Sequence, residues 1–124
     1  MVLGKTASDA LEEDEKMTLN EYQQLAQRTS NRALGRNGHI LNGVLGLSGE
    51  AGECADLVKK HYFQDARPIE NALIDELGDV LWYVAETASA LDVTLESIAI
   101  HNVEKLKKRY PVGFDAERSL HRKV

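Results

Sequence analysis

The sequence predicts an all-α fold, a four-helix bundle that assembles into an oligomer. Three observations carry this. Apolar residues recur at helical spacing through several long stretches. The only two prolines, Pro68 and Pro111, fall at the edges of such stretches. No segment alternates apolar and polar residues over a useful length. At 124 residues, 43% hydrophobic and 28% charged, the chain suits one globular domain. Its formal net charge of -5 argues against binding a nucleic acid polymer. Nucleotides stay open, because cations can carry their phosphates.

The lone cysteine, Cys54, excludes an intrachain disulfide and fits a reducing compartment. No apolar run approaches the roughly 18 residues of a membrane span, and the N-terminus lacks a signal-peptide core. A cytoplasmic protein without membrane association is expected. Residues 1–16 read as a flexible acidic arm with Glu12, Glu13, Asp14 and Glu15 in a row. Residues 17–112 read as the helical domain. Residues 113–124 read as a basic tail, with Arg118, Arg122 and Lys123 and no assigned structure.

Thr18 and Glu21 form a capping box that opens the first helix, with Leu19, Tyr22, Leu25, Ala26 and Ala33 near helical spacing. That helix is expected to end between Arg32 and Leu34, before the turn residues Gly35 to Gly38. The second helix runs from about His39 to His61, with Ile40, Leu47, Ala51, Cys54, Leu57 and Val58 on one arc. Gly43, Gly46, Gly49 and Gly52 recur along it every third residue. Each costs about 1 kcal/mol relative to Ala in a helix interior, so side-chain bulk is excluded there by a neighbouring helix or a ligand. Pro68 fits the first turn of a third helix ending near Leu91, with Ile69, Leu73, Leu77, Val80, Leu81, Val84 and Ala88 as its stripe. Thr94 and Ser97 start the fourth, which buries Leu95, Ile98, Ala99, Val103 and Leu106. Lys105, Lys107, Lys108 and Arg109 suit the negative end of its dipole.

Two acidic pairs stand inside these helices, Glu50 with Glu53 and Glu76 with Asp79. Each pair spans roughly 60° of its helix and lies on the margin of an apolar stripe. Leu57 falls between the first two and Tyr83 between the second two. If the stripes pack antiparallel, four carboxylates converge. Such a cluster is repulsive unless protons or cations relieve it. A ligand set of oxygens alone selects hard ions, above all Mg²⁺ or Mn²⁺, and points to phosphate chemistry.

Glu50-x-x-Glu53 followed by Glu76-x-x-Asp79 resembles the signature of the MazG-like, all-α nucleoside triphosphate pyrophosphohydrolases. The likeness runs through Leu47-Ser-Gly-Glu-Ala-Gly-Glu-Cys-Ala-Asp56, Asp75-Glu-Leu-Gly-Asp-Val-Leu-Trp-Tyr83 and Lys108-Arg-Tyr-Pro111, within about residues 18–122. The resemblance implies Mg²⁺-dependent cleavage of a nucleoside triphosphate between its α- and β-phosphates. It makes Glu50, Glu53, Glu76 and Asp79 the metal ligands, one glutamate being an alternative holder of the attacking water. It places Asn102 and Lys105 toward the phosphates. It also implies a homodimer or homotetramer whose pocket is partly lined by a neighbouring chain.

Lys60 and Tyr83 are further substrate-binding candidates from their positions beside the acidic pairs. Arg109, with Lys108, Arg118 and Arg122, is a candidate to fold over the triphosphate. His39, on the Glu50 face three turns earlier, is a candidate for base or sugar contact. Trp82 points elsewhere, toward core or interface, and Cys54 toward packing. Apolar residues on more than one face of the third helix, Leu81 and Trp82 among them, also motivate a homo-oligomer. Two other readings stay open: a helical module without turnover, and an enzyme acting on phosphoribosyl-ATP.

Overall fold

The computed structural model describes residues 16–121. Most of the expected acidic arm, and residues 122–124 of the tail, lie outside that range. Within it the order is α1 (Leu19–Ala26), a 3-10 turn (Gln27–Thr29), α2 (Arg36–Phe63), α3 (Glu70–Ala90), α4 (Leu95–Arg109) and a short α5 (Ala116–Leu120). No strand occurs among the described residues, so the all-α expectation holds.

The capping box forms as read. Thr18 Oγ1 accepts from the Glu21 amide at 3.1 Å, and the Glu21 carboxylate accepts from the Thr18 amide at 3.0 Å. α1 is shorter than its pattern suggested. The chain tightens from Ala26 into the 3-10 turn, and side chains also reach the Ala26 carbonyl: the Trp82 indole donates to it at 3.1 Å and the Thr29 hydroxyl at 3.2 Å. Ser30 then turns to extended backbone. α2 begins three residues earlier than expected, because extended Gly35 serves as its N-cap and the Asn37-Gly38 pair is absorbed into the first turn. Pro68 stays outside α3, whose cap is Ile69.

α3 ends in a Schellman turn. Val93 donates to Ala88 O at 3.0 Å and Asp92 to Ser89 O at 3.1 Å. Asp92 sits at φ 57°, the left-handed region more often filled by glycine. Thr94 then caps α4, accepting from the Ser97 amide at 3.1 Å. The tail, read without structure, contains α5, because the Asp115 carboxylate accepts from the amides of Glu117 and Arg118.

α2 and α3 form the spine. His39 meets Glu86, Gly43 meets Thr87, Gly46 meets Tyr83, and Glu50 lies by Glu76 and Asp79, so the two helices run antiparallel. α1 rests on α3 and on the start of α4. Gln23, only 8% exposed, is its latch: its amide donates to Ser89 Oγ and Val93 O and accepts from the Leu95 amide at 2.7 Å. The core built this way is small. Ala26, Ala85, Ala88 and Leu95 are buried, with Tyr22, Trp82 and Val84 packed against them. Many large apolar side chains remain exposed, including Leu41, Val44 and Leu45 on α2 and Ile100 and Val103 on α4.

The glycine stripe divides in two. A Cβ on Gly43 would stand 2.1 Å from Thr87 Oγ1, and one on Gly46 would stand 2.1 Å from the Tyr83 ring. These two glycines let α3 approach. A Cβ on Gly49 or Gly52 would meet no neighbouring atom within 4 Å, so among the described residues nothing crowds them.

Candidate metal centre and adjoining cavities

The antiparallel packing of α2 and α3 brings Glu50 opposite Glu76 and Asp79. Carboxylate oxygens of these three residues all lie within 4.8 Å of one another. Glu50 and Glu76 are half-buried and Asp79 is exposed. Glu53 is exposed, one turn beyond Glu50, and stands outside that set of three. Its charge still reaches Glu76.

The electrostatics follow from the crowding. Partial burial, a hydrogen bond shared with Glu50 and the charges of Glu50, Glu53 and Asp79 together push the Glu76 carboxyl above its ordinary 4.5. The folded chain therefore holds this proton more tightly than the unfolded chain. Its contribution favours folding below about pH 4.5 and is lost as pH rises through the folded-state value. Glu76→Gln is thus expected to raise the melting temperature of the cation-free protein at neutral pH and to have no such effect in acid. Thermal melts in a chelator across that range check it. The donor set itself, three clustered carboxylates without His or Cys, suits a hard divalent cation.

Other elements close in on the cluster. Glu50 and Asp79 line a cavity of about 340 Å³ with Thr29, Trp82 and Tyr83. Tyr83 packs edge-on against Trp82, ring centroids 5.0 Å apart. The Trp82 indole donates to Thr29 Oγ1 at 2.9 Å as well as to Ala26 O. Trp82 therefore packs in the core, as read, and also borders the cavity, which its place in the sequence did not suggest. Tyr22 on α1 has its phenol pushed above 10.0, by burial first and by the Asp79 charge second, which places α1 beside the cluster.

The remaining candidates are distributed differently. Lys60 is exposed and ion-paired with Asp56 at 2.6 Å, one turn away on the same helix. Asn102 and Lys105 are exposed on α4, and neither lines the acidic cavity. Arg109 is half-buried, and its carbonyl accepts from Arg118 at 3.5 Å. Cys54 is half-buried and free.

A second cavity, about 410 Å³, has His39, Ser30 and Glu86 in its lining. His39 Nδ1 and the Ser30 hydroxyl both bond to Glu86 Oε1, the latter at 2.9 Å. Sequence reasoning selected His39 and passed over Glu86. Its signal was an acid set seven residues after Asp79, on the same face of an otherwise apolar stripe.

The model of the MazG nucleotide pyrophosphohydrolase domain matches residues 40–114, more than half of the chain. The chain belongs to the MazG family. The matched span holds α2 from its fifth residue onward, α3, α4 and both acidic pairs, and α1 precedes it. The Gene 37 protein of Mycobacterium phage L5 is 47% identical over 75 residues, covering 56% of this chain and 65% of that protein. The chain thus matches a little under two thirds of that relative's length. No solved structure matches. Among the described residues of this MazG domain, no helix is long and apolar enough to cross a membrane.

Proposed function

We propose that this chain is a Mg²⁺-dependent nucleoside triphosphate pyrophosphohydrolase that releases a monophosphate and pyrophosphate. The observation that carries the reading is the all-oxygen cluster of Glu50, Glu76 and Asp79 across the α2–α3 seam of a MazG domain. These three carboxylates hold the cation. When bound, Mg²⁺ neutralises charge on the phosphate oxygens while the anhydride breaks. Glu53 lies beside that set rather than in it, which suits it to orient the attacking water and accept its proton. Tyr83 and Trp82 wall the cavity and exclude solvent from one side. Lys60, Asn102, Lys105 and Arg109 are the cations and donors for the outer phosphates. The reaction is tested by incubating the protein with canonical and modified triphosphates and resolving the products. Monophosphate plus pyrophosphate is expected. Diphosphate plus phosphate, or no product from any triphosphate, sinks the reading.

The assembly we infer is a homodimer or homotetramer. Leu41 is 61% exposed, Leu45 69% and Ile100 64%, on helices whose other sides already meet the chain's own core. On α2 the packed side is the one against α3, and apolar side chains left exposed in this way are ordinarily covered. A second chain covering them would also bring an α4 toward the acidic cluster, where Asn102 and Lys105 have a use. Light scattering at micromolar concentration is expected to give at least twice the 13.8 kDa chain mass. A monomer under those conditions contradicts the assembly.

A further inference from the structure

The His39–Glu86 pair repeats the geometry of the acidic cluster further along the same seam. His39 precedes Glu50 by eleven residues and Glu86 follows Asp79 by seven, so each pair shares a helix face to within roughly 20°. At 1.5 Å per residue, Glu86 stands about 10.5 Å along α3 from Asp79. That matches the reach from the α-phosphate to the far edge of the base in an extended nucleotide. Tyr83 lies about halfway between and would stand at the level of the sugar of a nucleotide laid along that line.

Glu86 is 5% exposed, and its carboxylate is held rather than loose. Oε1 is occupied by Ser30 and His39. Oε2 has no hydrogen-bond partner among the described residues, yet no side-chain polar atom among them is both sealed from solvent and unpaired. Oε2 therefore keeps some contact with solvent, and Glu86 lines the cavity. Arg28 and Arg32, neither in an ion pair among the described residues, stand on the same wall. A nearly buried acceptor of this kind rewards a ligand that brings a donor and penalises one that does not.

We propose that Glu86 is a specificity-determining residue that accepts a hydrogen bond from the exocyclic amino group of an adenine or cytosine base. The inference rests on the pyrophosphohydrolase reading and names the substrate class of that site. With Oε1 occupied, the paired N–H donors of guanine find only one open oxygen. Uracil and thymine offer their ring N–H only between two carbonyl oxygens, which a carboxylate repels. Arg28 donates to the ring nitrogen beside the amino group.

The test compares wild-type protein and Glu86→Gln, with Mg²⁺, on dATP, dCTP, dGTP, dUTP and dTTP. Wild type is expected to favour dATP or dCTP over dUTP and dTTP by about tenfold or more in kcat/KM. Glu86→Gln supplies an amide donor for the thymine or uracil carbonyl, so the ranking should shift toward dTTP and dUTP. A merely misfolded variant cannot gain activity on those substrates. An unchanged ranking overturns the proposal, as does a wild-type preference for dGTP, dUTP or dTTP. So does a change confined to the ribose-over-deoxyribose ratio, which would assign Glu86 to the sugar. If no triphosphate is turned over, the pyrophosphohydrolase reading falls by itself. Calorimetry with the α,β-imido forms of the same nucleotides then still ranks the bases in both proteins.

Discussion

Asp79→Asn is expected to lower kcat/KM by about a thousandfold or more and to remove the stabilisation that Mg²⁺ confers. The side chain keeps its shape and loses its charge in a cluster of three carboxylates proposed to hold the cation. Several kcal/mol of transition-state stabilisation are at stake, and each 1.36 kcal/mol is a factor of ten. Binding to the folded state alone adds about 2.7 kcal/mol of stability when the cation is at about 100 times its Kd. Wild type should therefore melt higher with Mg²⁺ than with chelator, and Asp79→Asn should melt the same in both. Glu53→Gln separates the two roles. It should lose turnover to a similar degree and keep the cation-dependent melting shift, since Glu53 stands outside the group of three. A Glu53→Gln protein with full turnover, or one that no longer responds to Mg²⁺, removes the assignment of Glu53 to the water.

Gly46→Ala is expected to destabilise the fold by about 2 kcal/mol. The new Cβ would stand 2.1 Å from Tyr83 Cε1 and 2.4 Å from Cδ1 and Cζ. The ring itself, not a flexible tip, has to move, and it is already braced against Trp82. Overpacking at the upper end of about 1–3 kcal/mol, less about 1 kcal/mol regained from helix propensity, gives the net figure. Because Tyr83 lines the acidic cavity, KM should rise with it. Gly49→Ala is the control on the same helix. Among the described residues no neighbouring atom comes within 4 Å of its added Cβ, so it should gain up to about 1 kcal/mol. Denaturant melts of both variants check the pair. A loss at Gly49 would instead place a second chain against that face.

Much of this was readable before any coordinates. Helical spacing, two caps and the placement of two prolines give α1 and the three long helices, because a long amphipathic stripe leaves few alternatives. Glu50, Glu76 and Asp79 converge because two stripes with acids on the same margin have to pack antiparallel. What stayed hidden depends on contacts between elements. The early end of α1 goes with the 3-10 turn and with Trp82 and Thr29 reaching the Ala26 carbonyl, a partnership 56 residues apart in one case. The division of the glycine stripe depends on which residues of α3 lie opposite, Thr87 and Tyr83, and spacing within α2 cannot say that. Glu86 was passed over because its one signal, an acid two turns after Asp79 on the same face, is weak without a second acid beside it. Only its bonds to Ser30 and His39 distinguish it.

The chain has one tryptophan, and it stands where α1, α3 and the acidic cavity meet. Its indole is tied by one hydrogen bond to the end of α1 and by another to the 3-10 turn that follows, and it is flanked by Tyr83. The protein thus contains its own optical probe. Intrinsic emission from a single known position registers both the filling of the cavity and any parting of α1 from the hairpin, without a label or a substitution.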